Sequence, residues 1–212
     1  MRFILYLFLF FSLVVSAQKT YVIKYKGNSN TSYSEHTSES SYFSQNLDRL
    51  AQQITKGKST DSEKIEAIYL WIAQNIAYDH ELRFNKTLQE DYYQSQEKVI
   101  TKVLQRQKAL CGGYALLFEI LCGNVGVEAK TIHGFTKLTT NFQRPNHSWN
   151  AVKVNGKWQL LDITWSISNG KLKTPDKSWF LTNPEIFIRS HYPQDSKWTL
   201  IGNPPSLKDF VS

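Results

Sequence analysis

His147-Ser148-Trp149-Asn150-Ala151-Val152-Lys153-Val154, then Asn155-Gly156, then Lys157-Trp158-Gln159-Leu160-Leu161-Asp162-Ile163 is the stretch that decides the fold of this chain. Both flanks carry β-formers at the period of two that marks a strand. Asn-Gly is the pair favoured by a two-residue type I′ turn, because both central residues take positive φ. The stretch therefore predicts a β-hairpin. Its turn pairs Val154 with Lys157, and antiparallel partners then keep a constant sum of residue numbers, 311. Trp149 faces Asp162 and His147 faces Thr164. His147 and Asp162 are thus diagonal neighbours on one face, with Cα atoms ~7–8 Å apart. A slip of one residue would put them on opposite faces.

Upstream, Val127 to Phe135 reads as a further strand, while Phe43 to Ile76 and Val99 to Leu121 carry helical spacing. Leu110-Cys111-Gly112-Gly113-Tyr114 leads into Ala115, Leu116, Leu117, Phe118, Ile120 and Leu121, a largely buried helix that Gly123 is placed to end. Val99 to Leu104 predicts a short helix before it. Thr60-Asp61-Ser62-Glu63 is a capping box ahead of Ile65, Ile68, Tyr69, Ile72 and Ile76. Phe43, Leu47, Leu50 and Ile54 form an earlier amphipathic helix that stops at Lys56-Gly57. The charged, Gln-rich run from His80 to Lys98 reads as a solvated loop. Helices followed by an antiparallel sheet give an α+β domain with a central helix packed on the sheet.

The first residues have a different character. Met1 and Arg2 precede an apolar run, Phe3 to Phe11 and Leu13 to Val15, that ends in Ser16-Ala17. This is the pattern of a secretory signal peptide cut after Ala17, too short for a membrane span of ~20 residues. The organisation expected is residues 1–17 as signal peptide, 18–40 as a flexible segment with an edge strand at Tyr21–Tyr25, and 41–212 as a single domain. The expected location is secreted or periplasmic. A hydrophobic share of 41% with 14% aromatic residues suffices for a core, and the net charge of +7 falls to +6 once Arg2 leaves. No basic stripe interleaved with aromatics is present, so a solvated positive surface is expected rather than nucleic-acid binding.

The cysteines are Cys111 and Cys122. On one helix they would stand about 16 Å apart at ~1.5 Å per residue, whereas a disulfide needs Cα atoms within ~7 Å. Both thiols should be free. Cys111 starts its helix, where the helix dipole and unpaired N–H groups favour thiolate, and Gly112 and Gly113 would let a substrate backbone approach. Cys122 reads as inert core. With His147 to move a proton and Asp162 to orient the imidazole, Cys111 completes a nucleophile triad. His36 and His80 lie in polar stretches, His133 in a strand and His191 near the end, so they compete poorly for the base. Neither metal-ligand spacing nor a calcium-binding pattern is visible, and no cofactor is expected.

Three of these segments resemble the transglutaminase-like, papain-related family. Cys111-Gly112-Gly113-Tyr114-Ala115 is similar to its nucleophile helix, His147-Ser148-Trp149-Asn150 to its histidine strand, and Trp158 to Trp165 to its aspartate strand. Tyr78-Asp79 and the tail from Phe180 through Pro184 to His191-Tyr192-Pro193 resemble the kyphoscoliosis-peptidase branch. The resemblance implies a Cys111, His147, Asp162 triad. The Cys111 N–H is the natural oxyanion donor, and Gln105 or Gln107 is a candidate side-chain donor, as in papain-like sites. Gly112, Gly113 and Trp149 are candidate substrate contacts.

The activity expected is exported thiol acyl transfer on peptide or isopeptide bonds of a protein substrate, with the cell envelope as one setting. The alternatives are a non-catalytic binding or envelope-organising module and a protein cross-linking transglutaminase. Asn146-His147-Ser148 is formally a glycosylation sequon placed on the proposed base, which favours a bacterial envelope.

Overall fold

The computed structural model describes residues 34–137, 142–170 and 174–212. The proposed signal peptide and the Tyr21–Tyr25 strand lie outside these residues. Helix α1 spans Ser34–Ile54, so the end of the segment read as flexible is helical. Phe43, Leu47, Leu50 and Ala51 turn into the core. Helix α2, Asp61–Asn75, starts on the expected capping box: Thr60 Oγ1 accepts from the Glu63 N–H at 3.2 Å, and Glu63 Oε2 accepts from the Thr60 N–H at 2.9 Å. Its buried side chains, Ile65, Ile68, Tyr69 and Ile72, follow the predicted spacing.

The run read as a solvated loop is mostly helical. After strand β1, Ala77–Tyr78, come α3, His80–Phe84, α4, Lys86–Tyr92, and α5, Gln96–Arg106. Each is capped by a side-chain oxygen: Asp79 Oδ1 to the Leu82 N–H, Asn85 Oδ1 to the Leu88 N–H and Ser95 Oγ to the Lys98 N–H. Leu82 and Tyr92 are buried, which anchors the run. Helices α3 and α4 are too short for periodicity to declare them, and their caps define them, while α5 contains the short helix expected at Val99 to Leu104.

Strand β2, Lys108–Ala109, pairs in parallel with β1 and delivers the chain to the central helix α6, Cys111–Gly123. The sheet follows: β3, Ala129–Thr136, β4, His147–Val154, and β5, Lys157–Leu161. Helix α7, Ile163–Asn169, and α8, Pro184–Phe187, lead to β6, His191–Pro193, and the described chain closes with α9, Leu207–Val211. The sheet order is β5-β4-β3-β6, antiparallel throughout.

The hairpin has the register read from its turn, from Val154 opposite Lys157 to Asn150 opposite Leu161. Asn155 and Gly156 have φ of 50° and 78°, as a type I′ turn requires. Along β4 the side chains alternate. Val152 and Val154 join the main core with α1, α2 and α6, whereas Trp149 and Ala151 join a second cluster with Ile132, Leu160 and Phe187. Buried Asn150 donates its Nδ2–H to the Ala115 carbonyl at 2.9 Å and so fixes α6 against the sheet. Among the described residues no helix is long and apolar enough to cross a membrane.

Candidate active site

Cys111 is placed by the strap ahead of it. The Ala77 N–H donates to Gln107 O at 2.8 Å and the Asp79 N–H to Ala109 O at 2.9 Å. Asp79, fully buried, receives Arg106 Nε and Nη2 on its carboxylate at 2.9–3.1 Å, and Arg106 also reaches Glu81 at 2.9 Å. Leu110 is extended, and its carbonyl takes the Gly113 and Tyr114 N–H groups, which opens α6 with Cys111 as first residue.

His147, at the start of β4, bonds through Nε2 to Asp162 Oδ2 at 2.6 Å. That leaves Nδ1 to face the thiol. Burial by itself would raise the Cys111 pKa, but the hydrogen bond and charge of His147 and a hydrogen bond from the Ser148 N–H bring it below its ordinary value. Burial would likewise depress His147, yet the Asp162 charge, the Asp162 hydrogen bond and the thiolate push it up to about 10. Asp162 is driven the opposite way: burial would raise it, and the imidazolium and two imidazole donors hold it far below the carboxylate range. The three groups titrate as one unit and favour thiolate, imidazolium and carboxylate together.

Asp162 departs from the hairpin reading in one respect. It is not in β5 but is the N-cap of α7, its Oδ1 accepting from the Trp165 N–H at 3.0 Å while its own N–H goes to Trp179 O at 2.9 Å. Capping a helix and orienting the imidazole are both tasks of this one carboxylate.

His191, set aside in the sequence, lies in the site. It is completely buried on β6, with Nε2 3.0 Å from Asp162 Oδ2 and Nδ1 2.8 Å from Ser190 Oγ. Its ring stacks on Phe187 at 4.2 Å and lies 4.3 Å from Trp165. Burial pushes its pKa down, so it is the neutral histidine of the pair. The only sequence signal for it was the His-Tyr-Pro tail. The donor atoms of His147, Asp162 and His191 lie within 4.8 Å of one another, close enough to surround a cation. An ion there would displace the 2.6 Å hydrogen bond, and the residues as they stand are arranged for proton transfer.

Two candidate substrate contacts are corrected. Trp149 is buried beneath the site, against Phe187 and His191 at 5.8 and 5.1 Å, and serves as packing for the histidines. Gly113 is also buried; a Cβ there would sit 3.0 Å from Val103 and 3.1 Å from Ala109, so the glycine lets α5 and β2 approach α6. Gly112, by contrast, has open space where its Cβ would be. Gln105 is exposed in the last turn of α5, and Gln107 is the left-handed C-cap of that helix. Neither makes a recorded side-chain hydrogen bond to the triad. Cys111 and Cys122 are both free, and burial pushes the Cys122 thiol well above its ordinary range. The Asn146 side chain is tied to Thr136, accepting from its N–H and hydroxyl at 3.0 Å each, so the sequon amide is engaged in holding the ends of β3 and β4.

Several known proteins are similar to this chain in sequence. Kyphoscoliosis peptidase of Homo sapiens is 34% identical over 176 residues, which is 77% of this chain and 26% of that protein. Hillarin of Drosophila melanogaster is 29% identical over 76% of this chain and 21% of its own length. The chain thus spans about a quarter of the curated relatives it matches. A solved structure described as a TGase aligns with a TM-score of 0.46 at 23% identity, covering 69% of this chain and 36% of that one. The sequence profile of the transglutaminase-like superfamily matches residues 48–163, more than half of the 212 residues and inclusive of Cys111, His147 and Asp162. The chain that carries this thiol, imidazole and carboxylate belongs to the transglutaminase-like superfamily.

Proposed function

We propose that this protein is an exported thiol acyl-transfer enzyme that hydrolyses peptide or amide bonds. The observation that carries the reading is the continuous link from the Cys111 sulfur through His147 to a buried Asp162 at 2.6 Å. The Cys111 thiolate attacks the carbonyl carbon, and the developing oxyanion is met by the N–H groups of Cys111 and Gly112, which precede the first bonds of α6 to the Leu110 carbonyl. The His147 imidazolium gives its proton to the leaving amine, and a thioester remains on Cys111. Neutral His147 then takes a proton from water, whose oxygen attacks the thioester and releases the acid and the thiol. Asp162 keeps the ring oriented through both steps. A relative named as a peptidase supports hydrolysis over transfer to an amine.

The test is iodoacetamide alkylation of folded protein against pH, with Cys122 as internal control, followed by digestion of unfolded casein with and without a fluorescent primary amine. Rapid Cys111 alkylation below its ordinary range, together with new peptide amines that vanish in Cys111→Ala, supports the hydrolase. Amine incorporation supports the cross-linking reading. Equal sluggishness of both thiols would leave a binding module. Export to a secreted or periplasmic location belongs to the same proposal, and N-terminal sequencing of exported protein should begin at Gln18.

A further inference from the structure

The buried carboxylate of Asp162 has more donors than a triad needs. Oδ2 receives both His147 Nε2 at 2.6 Å and His191 Nε2 at 3.0 Å, while Oδ1 receives the Trp165 N–H at 3.0 Å. An ionised carboxylate has no proton to give, so His191 must be the donor in its pair. Its other nitrogen then accepts from the Ser190 hydroxyl at 2.8 Å, a shorter contact than that hydroxyl makes to the Phe187 carbonyl at 3.3 Å, and the ring is held as the Nε2–H tautomer. A second imidazolium here would stand 5.5 Å from His147, ring to ring, inside apolar walls, which disfavours charge on His191. The titratable groups facing it are Asp162, the N-cap of α7, and His147, on β4. Among the described residues, the rings it meets from α7, α8 and the 3₁₀ turn at Lys177–Trp179 are Trp165, Phe187 and Trp179.

An aromatic hydrocarbon ring would fill this cage as well as imidazole does. What it would lack is the N–H. We propose that His191 is a positioning residue of the acyl-transfer site: its Nε2–H holds the Asp162 oxygen that also receives His147, so that carboxylate and catalytic imidazole are presented to Cys111 in one orientation. The inference rests on the reading of Cys111 as a nucleophile. Removing the donor has two effects of one sign. The carboxylate, stabilised by one fewer donor, becomes easier to protonate, and His147 loses part of the charge that keeps it an imidazolium.

The experiment compares the rate of Cys111 alkylation by iodoacetamide, from pH 4 upward (a range set around the carboxylate pKa of ~4), in the wild type, His191→Phe, His191→Leu and His191→Gln. Phe keeps the aromatic packing without the donor, and Leu shows that the result does not depend on one side chain fitting. Gln retains an N–H at a similar reach. The acid limb of the profile should move up by about one pH unit in the Phe and Leu variants, an approximately tenfold slower reaction on that limb, and return toward the wild type in Gln. Near-UV circular dichroism reports the aromatic cage in each. A wild-type limb in His191→Phe and His191→Leu would overturn the inference while leaving the nucleophile intact. A wild-type Cys111 no more reactive than Cys122 would instead overturn the nucleophile and, with it, the role of His191.

Discussion

Gly134 stands where three strands meet, opposite His147 of β4 on one side and Pro193 of β6 on the other. Gly134→Ala adds one methyl group. The new carbon would overlap the Tyr192 carbonyl oxygen and the edge of the Trp149 ring, and it would lie 2.8 Å from Pro193 Cα. Carbon atoms are comfortable at about 3.5–4.0 Å, so none of these contacts can be borne. Two of the three are backbone of β6 and have no rotamer to escape into. Trp149 is only 1% exposed and walled in by Phe187 and His191. Either β6 moves out or the indole is displaced. Overpacking of this kind costs ~1–3 kcal/mol, and the backbone contacts place this case at about 3. For a chain of this size each kcal/mol is worth ~2–4 °C, so the midpoint should fall by about 6–12 °C. Because β6 carries His191, its movement also lengthens the bond to Asp162. Thermal unfolding at 222 nm and Cys111 alkylation at pH 6 measure the two effects. A midpoint within about 2 °C of wild type with unchanged alkylation would refute the reasoning.

Gly112→Ala is the contrasting substitution, since nothing lies within 4 Å of the added carbon. Its midpoint should hold or rise by up to ~4 °C, from a helix-propensity gain of up to ~1 kcal/mol, and alkylation of Cys111 should not change. His147→Ala removes the partner that offsets burial of the Cys111 thiol, so alkylation at pH 7 should drop to the level of Cys122. His147 also has a sign in stability: with a folded pKa raised to about 10 from 6.5, its contribution is full below 6.5 and lost as pH climbs toward 10. Because the paired Cys111 thiolate has already given up the proton that the unfolded thiol keeps to ~8.5, the two offset below that pH, and wild-type melting temperatures should fall only from there toward 10. Arg106→Ala strands the fully buried Asp79 with little but the Leu82 N–H, and denaturant unfolding should show a loss of ~3 kcal/mol.

The hairpin was legible because one turn type fixes a register, and a register fixes which side chains share a face. That is why His147 and Asp162 could be joined before any coordinates. The departure of Asp162 from β5 was not legible, since a pairing rule carries no information on where a strand stops, although the residue's suitability as an N-cap was visible. Trp149 looked available to a substrate because alternation names faces without saying what covers them. Here Phe187 and the C-terminal segment cover that face. His191 was missed for the same reason: its partner is 29 residues away through an irregular chain with no period to follow. Helix α5 was legible from Val99 to Leu104, whereas α3 and α4 are too short to show a period, and reading Asp79 and Asn85 as caps would have recovered them.

The bond from Asn150 to Ala115 bears on the order in which the molecule assembles. His147 and Asp162 are brought together by a tight turn, and hairpins of this kind close in about 1–10 μs. Cys111 arrives from a helix well upstream, and only when α6 settles on the sheet and Asn150 finds the Ala115 carbonyl does the sulfur come under the imidazole. Until that docking step the thiol has an ordinary chemistry, whatever secondary structure has formed. The rate at which Cys111 reacts during refolding is therefore a clock for the docking of α6 on the sheet, distinct from the appearance of helix and hairpin.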